Sequence, residues 1–112
     1  MLDNLKNIAN LPGLMAKARD MQERMKGMQE KLATTQTSAD VAGGMVTAIV
    51  NGRMELVKLR IDKEKLDVND TAMLEDLIVA AVSAAQVKAA MLAKAEMEKI
   101  AAEVGLPPGM MP

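Results

Sequence analysis

Between residues 14 and 32 apolar side chains return at spacings of four, three, four, three and four: Leu14, Ala18, Met21, Met25, Met28 and Leu32. This strict heptad stripe predicts an amphipathic helix of about 20 residues, roughly 30 Å long, with one face to bury. Gly27 inside it costs about 1 kcal/mol relative to alanine, which tertiary packing must offset. Upstream, Leu11-Pro12-Gly13 interrupts the pattern, so residues 1–13 read as a loose lead-in. After Thr34 the helical period fades. Thr35, Thr37, Ala39 and Val41 alternate instead, which predicts a polar edge strand ahead of Gly43-Gly44.

The stretch from Met45 to Ile61 reads as a hairpin turning at Asn51-Gly52, two residues that tolerate the positive φ a tight turn demands. Val46, Ala48 and Val50 share one face with Val57, Leu59 and Ile61 whether the loop holds two residues or four, because both choices keep parity. That face is the predicted core. The other is mixed, with Thr47, Lys58 and Arg60 beside Met45, Ile49 and Leu56. Residues 62–68 form a short charged connector, and Asn69 or Asp70 can cap a helix beginning at Thr71. From Thr71 to Val104 there is neither proline nor glycine, so one long helix is expected, ending at Gly105. Leu74, Leu77, Ile78, Ala81, Val82 and Ala85 give its first half a broad apolar face that lies on the sheet. Ala93, Met97, Ile100 and Val104 continue a narrower one. Residues 105–112, rich in proline, read as a mobile tail.

The order is helix, three antiparallel strands, helix: an α+β fold in a single domain spanning 1–112. Helices this long overhang strands of about 20 Å and leave methionine and alanine stripes without an intrachain partner. A homodimer resolves this, because a symmetric partner buries the same stripe twice.

Composition narrows the chemistry. The chain has no histidine, no cysteine and no aromatic residue. Without histidine, proton transfer near neutral pH is hard to stage, and neither Ser38 nor Ser83 has a base or a nucleophile-elbow context. The chain therefore reads as non-enzymatic, with no cofactor, metal or small-molecule substrate expected. No run approaches the roughly 18 uncharged apolar residues of a membrane span, and the first residues lack a signal-peptide pattern, so a cytoplasmic, membrane-free protein is expected. Net charge is −1, but residues 1–61 carry nine Lys/Arg against six Asp/Glu, while residues 62–112 carry five against nine.

Within the basic half, Lys17, Arg24 and Lys31 occupy one heptad position, and the neighbouring Gln22 and Gln29 offer no complementary charge in a helix pair. Cations roughly 10 Å apart suit a nucleic-acid backbone. The alternative is a solvated face, with Asp20 offsetting Lys17 and Arg24 and with Arg19, Glu23, Lys26 and Glu30 pairing opposite. The absent aromatics exclude base stacking, so any nucleic-acid binding rests on charge and shape. The methionine stripe reads as a helix seam. Its alternative is a plastic surface gripping apolar segments, as in a prefoldin-type holdase.

In order and spacing, Leu14-Met-Ala-Lys-Ala-Arg-Asp-Met-Gln-Glu-Arg-Met-Lys-Gly-Met-Gln-Glu-Lys-Leu32, Gly43-Gly-Met-Val46, Val50-Asn-Gly52, Ile61-Asp62, Met73-Leu-Glu-Asp-Leu-Ile-Val-Ala-Ala81 and Leu106-Pro-Pro-Gly109 resemble the YbaB/EbfC family of bacterial nucleoid-associated proteins. The resemblance implies an α-β-β-β-α protomer with long projecting helices in a tweezer-like homodimer. It also implies binding of double-stranded DNA in the nucleoid with little sequence preference, and a contribution to nucleoid organisation and gene regulation. Carried over, the DNA-facing candidates are Lys17, Arg19, Arg24, Lys26 and Lys31 on the first helix, with Lys88, Lys94 and Lys99 on the last. The chain departs from the family pattern at Thr47, where lysine is common, and at Met54, where glycine is common. A scaffold or recombination-associated adaptor would share this fold.

Overall fold

The computed structural model describes residues 11–105. Of the lead-in expected over 1–13 and the tail expected over 105–112, residues 1–10 and 106–112 lie outside the described residues. In order come α1 (Leu11–Thr34), β1 (Gln36–Val41), a 3-10 turn at Ala42–Gly44, β2 (Val46–Asn51), β3 (Leu56–Ile61) and α2 (Thr71–Glu103). The sheet is antiparallel in the order β1-β2-β3, so the α-β-β-β-α, α+β expectation holds. The described residues fall into two compact units, one of residues 29–95 and one of residues 11–28 with 96–105.

Helix α1 begins earlier than expected, since Leu11, Pro12 and Gly13 form its first turn. A helix start leaves its first four N–H groups unpaired, so the N–H that proline lacks is not missed there. At the other helix, Asp70 is the cap: its Oδ1 accepts from the Met73 N–H at 3.2 Å.

In the unit of residues 29–95, Val46, Ala48 and Val50 of the central strand are fully buried, and so are Ala81, Ala85 and Ala89 of α2. Three alanines four residues apart lie on one helix face and let its backbone come close to the sheet. The closeness is direct. Thr37 Oγ1 lies 3.2 Å from the Val50 carbonyl and 3.3 Å from the Ala85 carbonyl, and Lys88 Nζ donates to the Ser38 carbonyl at 2.9 Å. The connector supplies Leu66 to the core, on a turn in which the Leu66 N–H donates to the Asp62 carbonyl at 3.0 Å.

The hairpin departs from simple parity. Its loop is the four residues 52–55, closed by the Asn51 N–H donating to the Glu55 carbonyl at 2.9 Å. Ile49 pairs with Lys58 but Val50 pairs with Leu56, so a β-bulge leaves Val57 without a partner. Val57 is 49% exposed, which corrects its expected place in the core: the extra residue of a bulge drops out of the alternation. Leu59 and Ile61, beyond the bulge, keep their expected face against the core.

By length and composition α2 is apolar enough to cross a bilayer, with a stretch of mean hydropathy 1.5 of which 17% is buried. Charged residues, Lys88 among them, break α2 into shorter uncharged runs, which is why the sequence pattern does not announce it. Much of its apolar surface faces away from the sheet: Val79, Val87 and Met91 are each at least 60% exposed.

Candidate nucleic-acid interface

The basic helix is anchored at its C-terminal turn by the hairpin. The last carbonyls of a helix have no intrahelical donor, and three of them are satisfied here in turn. Lys31 O accepts from the hydroxyls of Thr34 at 3.0 Å and Thr35 at 2.7 Å. Leu32 O accepts from the Gly52 N–H at 2.8 Å, and Ala33 O from Asn51 Nδ2 at 3.3 Å. Asn51 is 6% exposed, and its Oδ1 also accepts from the Arg53 and Glu55 N–H groups at 2.9 and 3.1 Å. One buried amide therefore orders the loop and holds the helix end. Gly52 is required by closeness rather than by φ: an added Cβ would lie 2.9 Å from the Leu32 carbonyl oxygen and 2.8 Å from its Cβ. The left-handed residue of the loop is Met54, at φ 69°.

All eight cations singled out from the sequence are exposed. Lys17, Arg19, Arg24 and Lys26 lie in the unit of residues 11–28 with 96–105, as does Lys99. Lys31, Lys88 and Lys94 lie in the other. Among the described residues Lys17, Arg19, Lys26, Lys94 and Lys99 form no ion pair, and the pairing of Arg19 and Lys26 with Glu23 and Glu30 that a solvated face would show is absent. Lys31 stands in the last turn of α1, where a positive charge favours the helix end. Lys88 is partly committed to structure through its bond to Ser38. Over its length α1 carries five Lys/Arg against three Asp/Glu, whereas α2 carries three against five.

Arg24 differs from Lys17, Arg19 and Lys26 in being ion-paired. Its Nε donates to Asp20 Oδ2 at 3.1 Å, and its Nη1 pairs with Glu103 at the end of α2. The hydrogen bond that it donates to Asp20, then the Asp20 charge, hold the guanidinium protonated beyond its ordinary range, and Glu103 adds a smaller push. Sequence spacing finds Asp20, four residues away, but sets it against both Lys17 and Arg24; among the described residues it pairs with Arg24 alone. Glu103, 79 residues away, carries no signal of this pairing in the sequence. In the same unit Met28, Ile100 and Ala101 are buried, and a cleft of about 170 Å³ is lined by Leu14, Lys17, Ala18, Met21 and Val104.

Residues 6–104 match the profile of the YbaB/EbfC DNA-binding family. A nucleoid-associated protein of Granulibacter bethesdensis is 45% identical over 90% of this chain and 94% of its own. One of Gemmatimonas aurantiaca is 42% identical over 84% of this chain and 90% of its own. Among solved structures, that of an uncharacterized protein from Helicobacter pylori matches with a TM-score of 0.60 at 26% identity, covering 72% of this chain and 82% of that one.

Proposed function

The chain belongs to the YbaB/EbfC DNA-binding family, and from that premise we propose that it binds double-stranded DNA in the bacterial nucleoid as a homodimer. Affinity comes from phosphate contacts, sequence preference is low, and the consequence is nucleoid organisation with an influence on gene expression. The observation that carries this reading is the row of exposed cations on α1, of which Lys17, Arg19 and Lys26 have no ion-pair partner among the described residues. Lys17, Arg24 and Lys31 recur every seven residues, roughly 10 Å apart along the helix. Duplex DNA carries about one charge per 1.7 Å of axis, so such a row finds phosphates in any register and reads no bases. Lys94 and Lys99 are secondary contacts on this reading, and Lys88 contributes what its bond to Ser38 leaves free.

The rival reading is a module that grips apolar segments, and the exposure of Val79, Val87 and Met91 favours it. Salt separates the two, because phosphate binding weakens steeply as ionic strength rises while apolar contact holds or strengthens. The test is a titration of a mixed-sequence duplex at two salt concentrations, with the parent and with Lys17, Arg24 and Lys31 all changed to Gln. Gln keeps helix propensity, so charge is the variable. The slope of log affinity against log salt should flatten by about 0.9 per lost contact, roughly 5 for the six cations of a dimer. An unchanged slope would move the DNA surface off this stripe.

A further inference from the structure

Arg24 is the middle cation of the heptad trio, and two nitrogens of its guanidinium, Nε and Nη1, are held within the protein. Asp20 holds Nε from the preceding turn of the same helix, and Glu103, the last residue of α2, holds the Nη end. Lys17, Arg19 and Lys26 on the same helix carry no such partner among the described residues. A carboxylate and a phosphate use the same planar fork of donors, so they compete for it rather than share it.

We propose that Glu103 is a built-in competitor for the DNA phosphate at Arg24, an internal counter-ion that a duplex must displace to engage the centre of the stripe. The proposal rests on the DNA-binding reading and adds its regulation. Asp20 does not serve this role. It lies four residues from Arg24 on one helix and engages Nε alone, leaving the Nη groups for another partner. Glu103 takes Nη1, one of the two donors that a bidentate phosphate needs. The side chains of Arg24 and Glu103 are 40% and 42% exposed, so the pair is within reach of solvent and of an incoming strand. An exposed pair of this kind is weak enough to exchange. Displacement has a structural consequence, because the contact ties the end of α2 to α1. Phosphate binding at Arg24 releases that end.

The test compares the full-length parent with Glu103→Gln, Glu98→Gln, Arg24→Gln and the Arg24→Gln/Glu103→Gln double variant in binding to a labelled mixed-sequence duplex. Glu98→Gln removes the same charge from α2 at an exposed residue without an ion pair among the described residues. Glu103→Gln is expected to tighten binding by about twofold to fivefold for each protomer engaged. Glu98→Gln should do markedly less, and Glu103→Gln should lose most of its effect when Arg24 is absent. Hydrogen exchange near residues 100–104 should rise when the parent binds DNA and be raised already in free Glu103→Gln. Equal gains from Glu103→Gln and Glu98→Gln would reduce the effect to bulk charge and overturn the competitor. So would a gain that persists without Arg24. If the parent binds and Glu103→Gln binds no better, the competitor alone falls. If no variant binds in a salt-dependent way, the DNA reading falls with it.

Discussion

Gly52 and Gly27 show how differently one residue type acts in this chain. At Gly52 the helix end and the hairpin meet so closely that a methyl group would stand 2.6 Å from Leu32 Cδ2 and 2.9 Å from the Leu32 carbonyl oxygen, a backbone atom unable to swing aside. The Gly52 N–H is also committed, to Leu32 O at 2.8 Å and Thr35 O at 2.9 Å. Gly52→Ala should therefore destabilise the protein by about 2–3 kcal/mol through overpacking, lowering the melting temperature by on the order of 10 °C. At Gly27, inside α1, an added methyl group meets nothing within 4 Å. Gly27→Ala should stabilise by about 0.5–1 kcal/mol, because alanine loses less backbone freedom on entering a helix. Thermal melts followed by circular dichroism check both signs, and a harmless Gly52→Ala would mean that the helix end is not seated on the loop. The Asn51-Gly52 pair is legible in sequence as a turn, yet its physical reason is not. Positive φ falls on Met54, and Asn51 and Gly52 serve the approach of a helix 18 or more residues earlier in the chain.

At the scale of elements, the features legible in sequence are those with a period. The heptad of α1, the alternation of β1 and β2 and the unbroken apolar faces of α2 each arise from local geometry, and each element is found where the pattern predicts it, although of the α1 stripe only Met28 and Leu32 are buried and Leu14 is 56% exposed. Val57 escapes such reasoning because a bulge adds one residue to a strand without any local marker, and parity arguments assume there is none. The start of α1 escapes it because Leu-Pro-Gly has the composition of a break, although a first helical turn accepts proline. At the candidate site the cations are legible as spacing, but the Arg24 to Glu103 contact is not, since it joins residues 79 apart. The alanine face of α2 offers a test at this scale. Ala85 is fully buried, and its carbonyl receives Thr37 Oγ1, so the helix lies against the sheet at a distance set by a methyl group. Ala85→Leu should force the two apart and cost about 1–3 kcal/mol or more, whereas Ser83→Ala, on the exposed face, should change stability by less than about 0.5 kcal/mol. Denaturant titration of the two variants makes the comparison. A stable Ala85→Leu protein would show that the helix and sheet are not in firm contact.

At the scale of the whole molecule the unspent energy is apolar. The face of α2 turned from the sheet presents Val79, Val87 and Met91 at 65%, 60% and 66% exposure, in a helix whose most apolar stretch is only 17% buried. Scattered exposed apolar residues need no explanation, but three large ones on one face of one helix form a surface that water disfavours and a second copy can cover. Light scattering after size exclusion should then report about twice the 12.0 kDa chain mass at micromolar concentration. Val87→Glu tests the face itself. Glutamate is the better helix former and Val87 is exposed in the protomer, so helix content should survive. A dimer would have to bury two unpaired carboxylates, each costing several kcal/mol, which weakens association by a factor of about 100 or more. The expected outcome is a folded protein of single-chain mass, bound more weakly to DNA because half of its phosphate contacts are gone. A Val87→Glu protein that remains a dimer would shift the interface to another exposed apolar surface, such as Leu11, Leu14 and Met15 of α1 or the Leu56 and Val57 edge. A parent of single-chain mass would remove the dimer from the proposed function altogether.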